Sequence, residues 1–213
     1  MFNKNFLKCL IAIIALFSVN NVFAVSKDVV VTKNGNVTNF QHTKDPFYLG
    51  FQHTKDPFYL GQQYLKMPPQ KRAAFRDKAL KNPQTTLPIY YIYFAEDIYP
   101  QDKDTAAFLF MYGYYLSVQD VSMCTDKSAM GVLQGLGYVA PNSAIYVSKL
   151  SKSKMAEMKM RVFSKEETLT QRPNPKWICY HGMEAFSGEV KTLPMSEYDR
   201  VKKQVNAEFK KNK

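Results

Sequence analysis

The chain has little of what most enzymes and nucleic-acid readers depend on. Histidine occurs three times, tryptophan once and cysteine three times in 213 residues. No GxSxG elbow, HExxH pair, CxxC or GxxxxGK[ST] loop is present, so hydrolase, zinc-protease, dithiol and phosphate-loop sites of recognisable spacing are excluded. His42 and His53 are copies of one repeated position, leaving His181 as the single unduplicated histidine. Too few ligands remain for a metal centre, and no cofactor and no metal are expected. Arginine is also scarce: Arg72, Arg76, Arg161, Arg172 and Arg200 are the only five among 29 basic residues. Lysine is a hydrated point charge, whereas arginine is the fork that reads phosphates and base edges. Sequence-specific recognition of nucleic acid is therefore not expected. Beyond the N-terminus no run is apolar enough to span a bilayer, since the longest, 104–124, contains Asp104, Gln119 and Asp120.

What is present begins with an export signal. Lys4 and Lys8 precede an apolar run from Cys9 to Val19, and Val22-Phe23-Ala24 offers a small residue for cleavage. This is the pattern of a secretory signal peptide over 1–24, cut after Ala24. Lys8 before Cys9 does not fit a lipoprotein box. Loss of Lys4 and Lys8 lowers the net charge from +11 to +9. A Lys-rich chain of this kind suits an acidic protein partner or an anionic envelope component. The expected location is periplasmic or secreted.

Export decides how the cysteines are read. Cys9 leaves with the signal, and Cys124 and Cys179 remain as an even pair in an oxidising compartment, so a disulfide is the default. Its loop is long enough for the chain-entropy model to assign about 4 kcal/mol.

Apolar residues make up 46% of the chain, enough for one domain with its own core. The predicted fold is mainly α: a signal peptide at 1–24, a hairpin and a duplicated loop segment over 25–67, and a helical domain over 68–213. Asn34-Gly35 between β-branched runs signals the hairpin. Residues 40–50 and 51–61 both read FQHTKDPFYLG. Two short identical units do not make a solenoid, which needs three or more. They read as a duplication tolerated in a surface loop.

Pro68-Pro69 opens a surface helix that stops before Pro83. Thr86 to Tyr99 is ambiguous. Its β-branched and aromatic content suits a strand, while Thr86 as a cap, Pro88 and Ala95-Glu96-Asp97 favour a helix. The Glu96-Asp97 pair reads as a helix-end acidic pair. Asp104 to Cys124 is the predicted central helix, capped by Asp102 or Asp104. Phe108, Met111, Tyr112, Tyr115, Val118 and Ser122 follow helical spacing, and Phe110 and Tyr114 widen the apolar arc. Gly113 in its middle costs about 1 kcal/mol against alanine, which points to close contact with a neighbouring helix. Thr125–Leu136 reads as a second helix, Pro141–Leu169 as a basic helical stretch, Arg172-Pro173-Asn174-Pro175 as a linker, and the residues after Pro194 as a last helix.

One stretch is similar to a known pattern. Gly113-Tyr114-Tyr115-Leu116-Ser117-Val118-Gln119-Asp120, followed by Cys124, resembles a GY-x-x-G-V-x-D stretch of small, helical, disulfide-bonded periplasmic immunity proteins that act against cell-wall amidase toxins. The likeness covers eight residues, with Ser117 where that pattern has glycine, and the rest of the chain does not follow the family. It implies a helical, disulfide-bonded periplasmic inhibitor.

The candidate binding surface is the segment around Cys179: Trp177, Tyr180, His181, Met183 and Phe186. Tryptophan and tyrosine are common anchors of recognition sites. The alternative is an aromatic cluster that shields the disulfide. Function is read as an exported, non-enzymatic binding protein, with inhibitor or immunity type as the form the resemblance implies and no catalytic residue assigned. The alternative is an envelope enzyme with a scattered site near His181 and Glu184.

Overall fold

The computed structural model describes residues 57–169, 172, 175–187 and 190–211. The signal peptide, the Asn34-Gly35 hairpin and the first copy of the repeat lie outside the described residues. Within them the chain is one helical domain, without strands. In order the helices are α1 (Pro57–Lys66), α2 (Pro69–Lys81), α3 (Pro88–Ile98), α4 (Lys103–Ser122), α5 (Val132–Val139), α6 (Pro141–Ser148), α7 (Lys152–Glu167), α8 (Lys176–Cys179) and α9 (Tyr198–Lys211). Short 3₁₀ turns cover Lys127–Gly131, Met183–Ser187 and Met195–Glu197.

Pro68-Pro69 opens a helix, as expected, and among the described residues the first helix begins at Pro57, inside the second copy of the repeat. A reason is visible at Gly61, the last residue of that copy. A Cβ there would fall within 1.7 Å of the Tyr93 ring, so α1 can lie against α3 only where the side chain is absent. α2 buries none of its residues.

The ambiguous Thr86–Tyr99 stretch is helix α3, with Ile89, Tyr91, Ile92, Phe94 and Ala95 all buried. Length favours the helix: buried strands run about four to eight residues, whereas the 11 residues of Pro88–Ile98 make three helical turns. Thr86 does not cap it. The cap is Leu87, while Thr86 Oγ1 lies 2.9 Å from the carbonyls of Ala79 and Asn82 and donates to the last turn of α2. Ala79 O also accepts from Asn82 N at 3.1 Å, so the hydroxyl adds to the helix's own C-cap.

α4 is the centre of the domain and touches α3, α6, α7, α8 and α9. Asp102 caps it, its carboxylate accepting from Thr105 N at 2.9 Å. Leu109, Phe110, Tyr112, Tyr115, Leu116, Val118 and Val121 are buried. Phe108 and Met111, which the helical spacing put on the inner stripe, are half-buried instead. Arg161 covers one of them, its guanidinium 4.8 Å from the Phe108 ring centre. Gly113 is the close contact with α3: a Cβ would sit 2.8 Å from Pro88 O and 2.9 Å from Tyr91 Cβ.

Thr125–Leu136 is not one helix. Asp126 caps a 3₁₀ turn over Lys127–Gly131, and α5 follows. Gly131 and Gly135 share a face but meet nothing, since a Cβ on either finds no atom within 4 Å. The basic stretch after Pro141 is likewise two helices. Ser151 accepts from Lys154 N at 3.2 Å and so starts α7 afresh after α6 ends at Ser148. In the last helix Val201 and Val205 are buried, while Met195 is 43% exposed and lies in the 3₁₀ turn ahead of it.

Candidate functional site

Three parts of the chain meet at the C-terminal end of α4. Cys124, just past that end, forms the disulfide with Cys179, with Cα atoms 5.4 Å apart. It also makes an antiparallel bridge to Thr192, next to a 2.7 Å bond from Leu193 N to Met123 O. Lys127 Nζ donates to Cys124 O at 2.5 Å, a cation placed at the negative end of the helix. One turn earlier on α4 is Asp120, buried on all sides. Its Oδ1 accepts from Arg172 Nη2 at 2.6 Å and its Oδ2 from Trp177 Nε1 at 2.8 Å. Burial pushes the Asp120 carboxyl up from its ordinary value, and the charge of Arg172 and the indole bond pull against it. Burial alone would lower Arg172; the charge of Asp120 and the bond to it, together with Tyr198 and Tyr112, outweigh burial and raise the guanidinium above its ordinary value.

The buried pair and the disulfide work in parallel. Cys124 follows Asp120 by four residues, just past the end of α4, and Trp177 and Cys179 are two apart on the segment they hold. The disulfide and the indole bond are thus two separate attachments of the segment to the end of α4. Arg172, which the sequence put in a linker, is 5% exposed and belongs to this anchor.

Beyond Cys179 the segment is fastened a second time. Asp126 Oδ2 accepts from Glu184 N at 2.8 Å, and Ser128 Oγ accepts from Met183 N at 2.7 Å. Burial would raise the Asp126 carboxyl, but the N–H groups of Glu184 and Ser128 hold it below its usual value. Gly182 permits the approach, because a Cβ there would be 2.3 Å from Asp126 Oδ2.

The five residues of the predicted surface separate into two groups. Trp177 is 7% exposed, and its polar tip is spent on Asp120. His181 is largely enclosed, and burial lowers its pKa to about 4, so it is neutral at neutral pH. Tyr180, Met183 and Phe186 face outward, 43%, 67% and 57% exposed. Lys176 Nζ lies 5.8 Å from the Tyr180 ring centre. Glu184 is exposed and accepts from Thr125 Oγ1 at 3.3 Å. Among the described residues no group of three or more His, Cys, Asp or Glu is arranged to hold a metal ion.

Two further polar clusters join partners that the sequence does not name, although Asp97 in one of them belongs to the acidic pair expected at a helix end. Between α4, α7 and α9, Glu166 is buried and pairs with Lys202 Nζ at 2.7 Å. Gln119 joins it, donating to Glu166 at 3.2 Å and accepting from Tyr198 OH at 3.2 Å, and Tyr115 OH donates to Asn206 close by. At the other cluster Asp97 accepts from Arg72 Nε at 2.8 Å, Arg76 Nη1 at 2.9 Å and Tyr64 OH at 2.7 Å. A carboxylate inside an otherwise apolar helical run was the available signal for Asp120. Its partner is 52 residues away, and nothing local names it.

Comparison with known proteins supplies no relative: no family model, no curated protein and no solved structure matches the chain.

Proposed function

We propose that this is an exported, non-enzymatic binding protein, of inhibitor or immunity type, which engages a protein partner in the periplasm or outside the cell through Tyr180, Met183 and Phe186. The observation that carries the reading is the exposure of these three large apolar side chains on a segment that is tied down. A rigid apolar display loses little entropy on binding, which is the advantage of preorganisation. Trp177 contributes by holding the segment and not by touching the partner. The inhibitor or immunity type rests on the likeness of Gly113–Asp120 to the periplasmic immunity proteins. In this fold Gly113 and Asp120 are a packing contact and an anchor, so the likeness concerns residues that build the structure.

The arginines support a protein partner over nucleic acid. All five are engaged within the chain: Arg72 and Arg76 at Asp97, Arg161 on Phe108, Arg172 at Asp120 and Arg200 at Glu197. No helix among the described residues is long and apolar enough to cross a membrane.

The test is capture of a partner from the exported and envelope fractions with the wild-type protein and with a Met183→Asp/Phe186→Asp variant. Both substitutions fall on exposed side chains and leave the anchor untouched. A partner that crosslinks to a probe at position 183 and is lost with the variant supports the face. A partner bound equally by both proteins would overturn it. Enzymatic turnover that disappears in His181→Gln would favour the alternative reading instead.

A further inference from the structure

α2 is the helix that buries nothing, and its two long sides differ. One side turns toward α1 and α3. Arg72 and Arg76 reach Asp97 there, and the Phe75 ring lies 5.2 Å from Tyr90 and 5.6 Å from Tyr64. Helical spacing puts Lys71, Ala74, Asp77, Lys78 and Lys81 together on the opposite side, and all five are exposed. Lys66 at the end of α1 and Leu65, 39% exposed, lie at its start. Asp77 is the one acidic residue of α2. On that face Lys71, Lys78 and Lys81 outnumber Asp77.

We infer that this lysine face of α2 is a docking surface for an anionic phospholipid bilayer, distinct from the Tyr180–Phe186 face. Charge complementarity is the first reason: cations near an anionic bilayer surface are each attracted to it. The second is the choice of cation. Lysine on a long flexible stem follows mobile headgroups without demanding a fixed geometry. The arginines of the same helix, which would impose one, are turned inward to Asp97. The third is spacing: helical periodicity sets Lys71, Lys78 and Lys81 in a row along one side of α2, so all three can meet one surface together. Phe75, Ala79 and Leu80 are on the inner side or its flanks, so no apolar stripe is available for insertion. The contact is electrostatic, lies on the headgroups, and is released by salt.

The experiment uses the protein purified from the exported fraction and co-sedimentation with vesicles of phosphatidylcholine alone or with 30% phosphatidylglycerol (about that proportion suffices to charge the surface). The expected result is binding to the anionic vesicles, loss at high salt and none to the neutral ones. Lys71→Gln/Lys78→Gln/Lys81→Gln should weaken binding roughly a hundredfold, at about a factor of five for each lysine. Lys149→Gln/Lys152→Gln/Lys203→Gln removes the same charge from exposed positions elsewhere and should leave most of it. Equal losses in the two variants would reduce the effect to net charge and overturn the proposal, as would failure to bind anionic vesicles. Binding to inorganic polyphosphate with none to vesicles would also overturn it. Because the variants leave Met183 and Phe186 intact, capture of the protein partner reports separately.

Discussion

Asp97 and Asp120 stand on adjacent helices and are bonded in parallel ways. Each accepts from arginine, and each accepts from one aromatic donor: Tyr64 OH at Asp97, Trp177 Nε1 at Asp120. They differ in medium. The side chains at Asp97 keep contact with water, the aspartate 11% and its arginines 24% and 19% exposed. Asp120 and Arg172 are at 1% and 2%. A buried pair gains little net energy, because desolvation offsets the attraction, but breaking it leaves a charge with nowhere to go. The first aspartate therefore trims the edge of the domain. The second makes one arrangement of the Trp177 segment far better than any other.

The largest effect should come from Asp120→Asn, which keeps the shape and strands the Arg172 charge. A loss of about 3–5 kcal/mol is expected in denaturant unfolding. Adding Arg172→Met to it should recover most of that loss, since the stranded charge is then gone. If the double variant is no better than the single, the buried charge is not the reason.

Next in size is a pH effect at His181, where the segment meets the interior. Its folded pKa, about 4, lies below the unfolded value of 6.5. The unfolded chain then binds the proton first. Stability is complete above pH 6.5 and falls as the pH drops toward 4, by about 3 kcal/mol at most. The slope should vanish in His181→Gln. An NMR titration giving His181 an ordinary value would contradict this enclosure.

Gly113→Ala probes the apolar contact that lies between the two aspartates. Alanine favours the helix by about 1 kcal/mol, but its Cβ would press on the Pro88 carbonyl and the Tyr91 Cβ. Backbone must move, so a net loss of about 2 kcal/mol is expected. A stabilised protein would mean that α3 and α4 are less tightly held. The smallest effect belongs to Asp97→Asn, about 1 kcal/mol and weakened by salt, because water takes over part of the solvation of Arg72 and Arg76.

Much of this framework was legible in the sequence, and the limits have physical causes. α4 could be read from the spacing of Tyr112, Tyr115 and Val118, and Gly113 from its conflict with helix propensity. The Cys124–Cys179 disulfide followed from an expected export signal and the even pair of cysteines left after it. Thr86 misled, because a threonine before an apolar run caps the preceding helix as readily as the following one. Lys149 to Ser151 broke the basic helix through a serine cap that composition hides. Trp177 fits the disulfide-shielding alternative and its neighbours the exposed one, a split that sequence adjacency cannot show because it does not distinguish the two sides of one short turn. Arg172 and Asp120 are far apart in sequence, and an arginine before prolines resembles a linker until the fold brings its partner.

The central claim is that Asp120 positions the segment that carries Tyr180, Met183 and Phe186. Amide hydrogen exchange in Asp120→Asn and Asp97→Asn tests it directly. Protection of the Met183 and Glu184 amides, bonded to Ser128 and Asp126, should fall at least tenfold more in Asp120→Asn than in Asp97→Asn, even after correction for global stability. Equal protection of those two amides in the two variants would contradict it.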